Sequence, residues 1–300
     1  YTGSIRNNGV EVTLNGKIIA DKPFTWDMNI NYSMNRSKVL KLAPGISQIT
    51  VNGFTGTVIA HLPNEPAGII YAYGWLRDGN GNIVISDKSD DYGYPVVSTE
   101  QRAVGNPNPK FLMGWGNTFS YKGFTLYTLV DWKCKGDIWN GTRGSLMAIG
   151  TSKYTLNRGT EQVFGGVMGH LNDAGKLVHT VGGAEVEGAG AANTTAVPLD
   201  QAWYQGNGGG FGAQTESFID DGSYVKLREV TLSYDFKGFR ESKFIRGITV
   251  STFARNIILW TPYKGIDPET SLTGATNAQG IDYFNMPGTS SFGLNLKFHF

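Results

Sequence analysis

The feature that most constrains this chain is a twelve-residue segment, residues 24–35, in which apolar and polar side chains alternate without a break. Its even positions carry only Phe, Trp, Met, Ile and Tyr, and its odd positions carry only Thr, Ser, Asp and Asn. This period of two predicts a β-strand with one apolar and one polar face. Strands of soluble sheets usually have about five or six residues, whereas a tilted strand needs about ten to cross a bilayer. The segment therefore favours a membrane-spanning strand.

The composition is consistent with strands and long loops. Glycine accounts for 41 of 300 residues, aromatic residues for 12%, and charged residues for only 17%, against roughly 25% charged residues in typical chains. The net charge of +1 argues against a nucleic-acid footprint. The single cysteine, Cys134, excludes an intrachain disulfide framework. No apolar run is long enough for a membrane helix, so a membrane-spanning fold would have to be a β-barrel.

Weaker alternation predicts six further strands. They lie at residues 10–14, 111–121, 124–132, 230–236, 248–261 and 292–300. In the last strand, Phe292, Phe298 and the terminal Phe300 share one face with two leucines, which resembles the assembly signal of bacterial outer-membrane barrels. The alternative is an ordinary terminal strand of a soluble sheet. A break of phase near residues 253–256 predicts a β-bulge.

Short and long connections alternate between these seven strands. The short ones lie around residues 20–22, 122–123 and 237–246, and the long ones at 37–109, 133–221 and 262–290. Outer-membrane barrels have this arrangement, with tight periplasmic turns and long extracellular loops. It places the carboxy-terminus in the periplasm. Because bacterial barrels begin at about eight strands, residues 1–300 are predicted to be the carboxy-terminal part of one larger transmembrane antiparallel β-barrel, with upstream strands absent from the sequence.

Four segments carry a family resemblance. They are residues 7–14 (NNGVEVTL), 105–111 (GNPNPKF, followed by NTFSYK), 223–230 (SYVKLREV) and 254–269 (ARNIILWTPYKGIDPE). In content and order they resemble SusC/RagA-type TonB-dependent outer-membrane transporters of Bacteroidetes.

The resemblance implies a barrel of 22 strands, an amino-terminal plug, a SusD-like lipoprotein over the outer mouth and energy supplied through TonB. It implies active import of oligosaccharides or peptides, with no cofactor. The plug and the TonB box are expected upstream of the given residues. Two alternatives remain: a SusC-like barrel that serves as a scaffold in a larger outer-membrane assembly, and a soluble β-rich carbohydrate-binding module or hydrolase.

No catalytic or metal-binding pattern emerges. The four histidines lack metal-ligand spacing, and Asp267 and Glu269 lie in a loop that does not fix the separation a glycosidase needs. Residues 78–82 (DGNGN) place oxygen ligands at alternate positions, but Asn-Gly and Asp-Gly are strong turn signals. A hairpin turn is favoured there over a calcium loop. The chain is therefore predicted not to be an enzyme and to hold no metal.

Aromatic residues of the outer loops are the candidates for contact with substrate or partner. These candidates are Tyr71, Tyr73, Trp75, Trp139, Asn140, Arg143, Trp203 and Tyr204. The alternative for them is packing within the loops. A second group is predicted to face lipid or form the aromatic girdles: Phe24, Trp26, Tyr32, Trp115, Phe292, Phe298 and Phe300. The polar residues on the opposite face of the strands, such as Asp27 and Lys297, are predicted to face the plug.

Overall fold

The computed structural model describes residues 3–210, 214–236, 246–274 and 278–300. Strands dominate this part of the chain, with two short helices in the second long connection. In chain order the elements are β1 (Gly3–Ile19), β2 (Phe24–Leu42), β3 (Ile49–Phe54), β4 (Thr57–His61), β5 (Ile69–Trp75), β6 (Val84–Ile85), β7 (Val97–Gly105), β8 (Phe111–Tyr121), β9 (Phe124–Cys134), β10 (Asp137–Asn140), α1 (Gly141–Ala148), β11 (Glu161–Val163), β12 (Val167–Met168), β13 (His170–Leu171), β14 (Leu177–Val181), β15 (Ala184–Glu187), β16 (Ala196–Pro198), α2 (Gln201–Gln205), β17 (Ile219–Asp221), β18 (Tyr224–Phe236), β19 (Gly247–Trp260), β20 (Ile281–Asp282) and β21 (Ser291–His299). Single turns of 3-10 helix occur at Lys153–Thr155 and Glu216–Phe218.

The seven predicted strands form one sheet, the main sheet, in the order β1-β2-β8-β9-β18-β19-β21. Every neighbouring pair in it is antiparallel. This arrangement confirms the all-β, antiparallel prediction. Within the described residues β1 and β21 do not pair with each other, so the main sheet is open at both edges.

The first hairpin of the main sheet is longer than the sequence predicted. Alternation placed its two strands at residues 10–14 and 24–35, but the pairing continues until Gly3 lies opposite Leu42. Residues 36–41 include one arginine and two lysines, which obscure the period of two. The extension depends on backbone hydrogen bonds, which do not require an alternating side-chain pattern.

The two faces of the main sheet differ sharply in polarity. One row of paired residues across the strands is apolar throughout: Leu14, Ile30, Trp115, Val130, Leu227 and Ile258. A row on the opposite face is mainly polar: Asn15, Asn29, Gly116, Leu129, Glu229 and Arg255. Apolar side chains of the first face are largely uncovered, with exposed fractions of 56% for Leu14 and 68% for Leu294. An apolar surface this extensive indicates a site of contact with lipid or protein.

Aromatic rings gather at both ends of this apolar face. At the end with the short connections, Phe119 stacks with Phe24 and Trp26 at centroid distances of 6.3 and 5.7 Å, and Phe124 lies 4.4 Å from Tyr234. At the other end, Phe111 contacts Tyr32 at 5.5 Å and Trp132 at 4.9 Å. Two aromatic belts therefore border the apolar face, as in the girdles of outer-membrane barrels.

The residues predicted to face lipid all lie on the apolar face or continue its alternation. They are Phe24, Trp26, Tyr32, Trp115, Phe292, Phe298 and Phe300. Trp26 also donates its indole N–H to the side-chain oxygen of Asn117 at 3.1 Å. This bond satisfies a polar group on an otherwise apolar surface. Lipid contact itself stays a prediction.

The main sheet has two irregular positions, and both lie where the sequence predicts them. Lys122 and Gly123 link β8 to β9 in a two-residue turn, with φ angles of 47° and 90°, as type I′ hairpins require. Asn256 has a φ of 53°, and the pairing of β18 with β19 shifts register between Leu227 and Glu229. The predicted bulge near residues 253–256 is thereby confirmed. The third short connection, predicted at residues 237–246, lies outside the described residues except for Arg246.

The described residues of the three long connections (43–110, 135–223 and 261–290) fold together into what we call the loop layer. β3, β4, β5 and β7 of the first connection form a four-stranded sheet. Strand β10 of the second pairs with β17 and, in parallel, with β20 of the third. β6 of the first pairs with β12 of the second. Buried residues from all three connections form one core: Ile59, Ile70, Trp139, Phe218 and Ile281.

Gly182 and Gly183 form the turn between β14 and β15, with φ angles of 58° and 86°. No helix within the described ranges has the length and apolar character needed to cross a membrane.

Candidate functional site

The loop residues predicted to contact substrate are carried by regular elements of the loop layer. Tyr71, Tyr73 and Trp75 lie on β5, Trp139 and Asn140 on β10, Arg143 on α1, and Trp203 and Tyr204 on α2. Four of them, Trp75, Arg143, Trp203 and Tyr204, line one cavity of about 220 Å³, which we call the aromatic cleft. The sequence could not show that these four residues meet, because they come from three elements far apart in the chain.

Stacked rings form the wall of the aromatic cleft. The Trp203 indole lies parallel to that of Trp75, with centroids 6.3 Å apart and an interplanar angle of 8°. It also stacks on Tyr94 at 5.4 Å and 19°, and Phe164 lies 4.8 Å away at a tilt. Of these four residues, Trp75, Phe164 and Trp203 line the cleft, and the ring surfaces that are not covered by stacking are flat and apolar with polar edges. Such surfaces suit a sugar ring or an aromatic or proline side chain.

Local hydrogen bonds hold the two tryptophans in place. Asp200 caps α2 by accepting the Trp203 backbone N–H at 2.8 Å. Gly208 packs directly against the indole, since a Cβ at that position would lie 2.5 Å from its nitrogen. The Trp75 indole donates to the hydroxyl of Ser217 at 3.2 Å, and its backbone N–H donates to Glu216. The cleft is therefore built before a ligand arrives, which lowers the entropic cost of binding.

Glu216 joins the first and second connections beside the cleft. Its carboxylate accepts hydrogen bonds from Arg77 at 2.8 Å and Arg102 at 2.5 Å, in addition to the Trp75 backbone. Sequence reasoning missed this residue. Its position about 140 residues from Trp75 in the chain left no local signal.

Arg143 forms the floor of the aromatic cleft. Its side chain is only 10% exposed and pairs with Asp220, itself 4% exposed, at 3.0 Å. The guanidinium also lies over the rings of Phe218 and Tyr154, at 4.9 and 5.7 Å. The charge is therefore neutralised, and within the described residues its Nε makes no hydrogen bond.

The remaining loop candidates lie elsewhere. Trp139 and Asn140 are almost completely buried, at 1% and 0% exposed. Asn140 caps α1 by accepting from the Arg143 backbone and donates to Asp220, so its role in the structure is to position Arg143. Tyr71 and Tyr73 are not among the residues that line the aromatic cleft. Substrate contact stays a prediction for every candidate.

The segment at residues 78–82 folds as a turn. One Asp78 carboxylate oxygen accepts from the backbones of Asn80 and Asn82 at 2.9 and 2.8 Å, and the other accepts from the Asn82 side chain at 2.9 Å. Both carboxylate oxygens therefore accept hydrogen bonds within the turn, as predicted by the interpretation that favoured a hairpin turn over a calcium loop. The described residues contain no group of His, Cys, Asp and Glu arranged to hold a metal ion.

A group of charged side chains on the polar face of the main sheet connects two of the sequence motifs. We call it the charge cluster: Asp131, Tyr224, Lys226, Arg228, Asp267 and Glu269. Arg228 binds Asp131 and Glu269, each at 2.6 Å. Lys226 pairs with Glu269 and, at 3.4 Å, with Asp267.

The β-bulge positions the charge cluster. Arg228 is the extra residue of β18 in its pairing with β9. In the pairing of β18 with β19 the extra residue belongs to β19, and Arg228 donates there to the side chain of Asn256 at 3.2 Å. Tyr224 donates its hydroxyl to Glu269 at 2.9 Å. The SYVKLREV and GIDPE segments thus bind each other, and the third connection is fixed to the rim of the sheet.

Acidification provides a test of this attachment. Burial raises the pKa of the Glu269 carboxyl, but hydrogen bonds from Arg228, Lys226 and Tyr224 lower it more, to about 2 from an ordinary value of 4.5. A lowered pKa means that the stabilisation is complete above about pH 4.5 and is lost as the pH falls through about 2. We expect hydrogen exchange in residues 261–274 to stay slow at about pH 5 and to accelerate towards pH 2, after correction for the intrinsic pH dependence of exchange. Glu269→Gln should remove this transition, and a wild-type transition near pH 4 or above would contradict the assignment.

Among known proteins, the chain is similar in sequence to TonB-dependent receptors. No family model matches the chain. Over 99% of its length the chain is 25% identical to TonB-dependent receptor P3 of Formosa agariphila and 24% identical to TonB-dependent receptor SusC of Bacteroides thetaiotaomicron. The alignments cover 29% and 27% of those relatives, so the chain spans less than a third of their length. Their names agree with the prediction that the chain is not an enzyme.

Solved structures show the same fold. The RagAB peptide transporter superposes with a TM-score of 0.62 at 18% identity, covering 99% of this chain and 30% of that chain. The RagAB peptide importer in its open-open state gives a TM-score of 0.61 at 18% identity, covering 99% and 29%. The resemblance to SusC/RagA-type TonB-dependent transporters, first seen in four motifs, is thus confirmed over the whole chain.

Proposed function

We propose that this chain is the carboxy-terminal part of the transmembrane β-barrel of a SusC-like importer in the bacterial outer membrane. The main support for this proposal is the uncovered apolar face of the main sheet, which is bordered by aromatic belts at both ends. A sheet with this face and an opposite polar face suits a barrel wall between lipid and lumen. The whole-chain similarity to TonB-dependent receptors supports the same conclusion.

The remainder of the protein completes the barrel in this proposal. The open edges at β1 and β21 pair with further strands of a 22-stranded barrel, and a plug and a TonB box belong to segments outside residues 1–300. Seven strands would be about a third of such a barrel. The share of the relatives that the chain covers, 27–30%, is consistent with this fraction.

The loop layer faces the cell exterior, and the carboxy-terminus lies on the periplasmic side. Tight turns at one end of the sheet and long connections at the other support this orientation. A SusD-like lipoprotein covers the loop layer, and TonB drives release of the substrate into the periplasm. The substrate is an oligosaccharide or a peptide, and the aromatic cleft is its proposed contact on this chain.

Uptake by cells tests the proposal. Deletion of the complete gene should abolish growth on the matching oligosaccharide or peptide mixture, and deletion of TonB should have the same effect. Extraction of the protein by buffer without detergent would refute the barrel. Unchanged uptake, together with barrel-dependent co-purification of an outer-membrane assembly, would favour the scaffold alternative.

Substitution on the apolar face tests the lipid contact. Val230 lies on β18 in the apolar face, and Thr231 follows it on the polar face. Val230→Arg should destabilise the folded barrel in lipid vesicles by about 2–4 kcal/mol, because a charge at mid-bilayer depth loses its hydration. Thr231→Arg is the matched control and should cost far less, since its side chain can reach Glu229. Denaturant titration of the refolded barrel measures both, and equal costs would contradict the assignment of faces.

A further inference from the structure

A second cavity, which we call the rim cleft, lies between the main sheet and the third connection. It has a volume of about 740 Å³. Three of its residues, Leu112, Lys133 and Tyr224, form one register row at the outer end of the polar face. Residues of the third connection, including Met286 and Pro287, form the facing wall. The rim cleft is separate from the aromatic cleft, and the two have no lining residue in common.

Most ionic groups around the rim cleft already have partners. Lys226 and Arg228 are paired within the charge cluster. Asp137 accepts the backbone N–H of Asn106 at 2.8 Å, and Asp221 pairs with Lys135 at 2.5 Å. The nearby acidic side chains are therefore committed to other donors.

Lys133 is the exception. Its ammonium makes no hydrogen bond or ion pair with any residue that the structure describes, although the side chain is partly buried. The end of the side chain lies against Gly136, where a Cβ would be 2.8 Å from the lysine Cε. Gly136 has a φ of 99°, which other residues adopt only with strain. This glycine leaves room for the lysine end group beside the cleft.

An ammonium in this position favours an anionic ligand. A partly buried cation without a hydrogen-bond partner has lost part of its hydration, and among the described residues the carboxylates of Glu269, Asp221 and Asp137 act on Lys133 only at longer range. A carboxylate would supply charge-assisted hydrogen bonds to it. The other ionic side chains that line the cleft are two cationic (Lys226 and Arg228) and three anionic (Asp137, Asp267 and Glu269), so the lining has no net charge once Lys133 is included. A lining without net charge disfavours a polyanion, so a single carboxylate bound to the ammonium of Lys133 is the ligand that fits best.

We propose that the rim cleft binds a carboxylate group of the transported substrate through Lys133. The inference rests on the proposed import function and narrows it to carboxylate-bearing substrates. Two sources share this chemistry: the carboxy-terminus of a short peptide and the carboxylate of an acidic sugar. Apolar lining residues such as Leu112, Ile138 and Met286 give the rest of the ligand a surface to contact.

Binding measurements on the complete importer, purified in detergent, test the proposal. One arm compares the peptide Ala-Leu-Ala with its carboxy-terminal amide, and the other compares trigalacturonate with its methyl ester. In one arm the free carboxylate should bind more tightly, and Lys133→Met should weaken that binding by about tenfold, the usual effect of losing a hydrogen bond to a charged group. The amide or ester should be unaffected by the substitution. Lys133→Arg should retain most of the affinity.

Controls separate this inference from the proposed function. Lys176→Met removes an exposed lysine of the loop layer and should leave binding unchanged. If wild-type cells import their substrate but Lys133→Met changes no affinity, the carboxylate site is refuted and the importer stands. A lower unfolding temperature with unchanged affinity would show that Lys133 pairs with another segment of the protein, and would also refute the site. Absence of both uptake and binding in the wild type would refute the proposed function itself.

Discussion

Replacing Lys226 by Met is expected to detach the third connection from the rim of the sheet. The Lys226 side chain is 6% exposed, and its partner Asp267 is 10% exposed. Removing one member of a buried ion pair costs about 3–5 kcal/mol, because the remaining charge is left without compensation. We therefore expect the free energy of local opening of residues 261–274 to fall by about 3 kcal/mol. Hydrogen exchange of the complete barrel in detergent measures this change.

Two further variants make the Lys226 experiment decisive. Lys176→Met removes an exposed lysine and should leave exchange unchanged. The double variant Lys226→Met/Glu269→Gln removes charges from both sides, so its cost should be smaller than the sum of the two single costs. Costs that add fully would show that the two side chains do not interact. Unchanged exchange in Lys226→Met would show that the charge cluster does not hold the third connection.

Much of the main sheet could be predicted from sequence because its strands obey a local rule. The polarity of each side chain in residues 24–35 depends only on which face it occupies, so the period of two is visible without knowledge of the fold. The same rule located the bulge at Asn256, where the phase breaks. It failed at residues 36–41, where charged side chains occupy a strand that extends towards the loop layer.

The loop layer could not be predicted in the same way. Its sheets pair residues far apart in the chain, such as Trp139 with Ile281, and no local period records such pairing. Aromatic composition singled out Trp75 and Trp203, which line the aromatic cleft. It could not distinguish them from Trp139, which is buried in the core of the layer, because a ring in a cleft and a ring in a core have the same sequence signature.

The charge cluster could be predicted from sequence only in part. Family resemblance identified the segments containing Arg228 and Glu269, but their contact follows only from the fold. Sequence spacing alone assigns no glycosidase role to the carboxylates of Asp267 and Glu269, because a loop does not fix their separation. In the structure both accept from Lys226, which gives them a structural role that spacing alone could not indicate.

Replacing Trp203 by Ala is expected to weaken substrate capture more than any other change in the aromatic cleft. Its ring contacts Trp75, Tyr94 and Phe164, so truncation removes the shared face of the stack. Central aromatic residues of binding sites commonly cost about 2 kcal/mol or more when truncated. We expect the Kd for the transported substrate to rise by about 30-fold. Binding to the purified complete importer and uptake by cells both measure the effect.

The Trp203 experiment needs a control for folding, because the same ring also packs the loop layer. Tyr92→Ala removes a loop aromatic that is 48% exposed and lies outside the cleft, so it should leave the Kd unchanged. Trp203→Phe keeps one flat ring and should lose only part of the affinity. Hydrogen exchange in α2 shows whether the helix persists in each variant. If α2 stays protected and Trp203→Ala binds substrate as tightly as the wild type, the aromatic cleft is a packing feature of the loop layer and the substrate contact lies elsewhere.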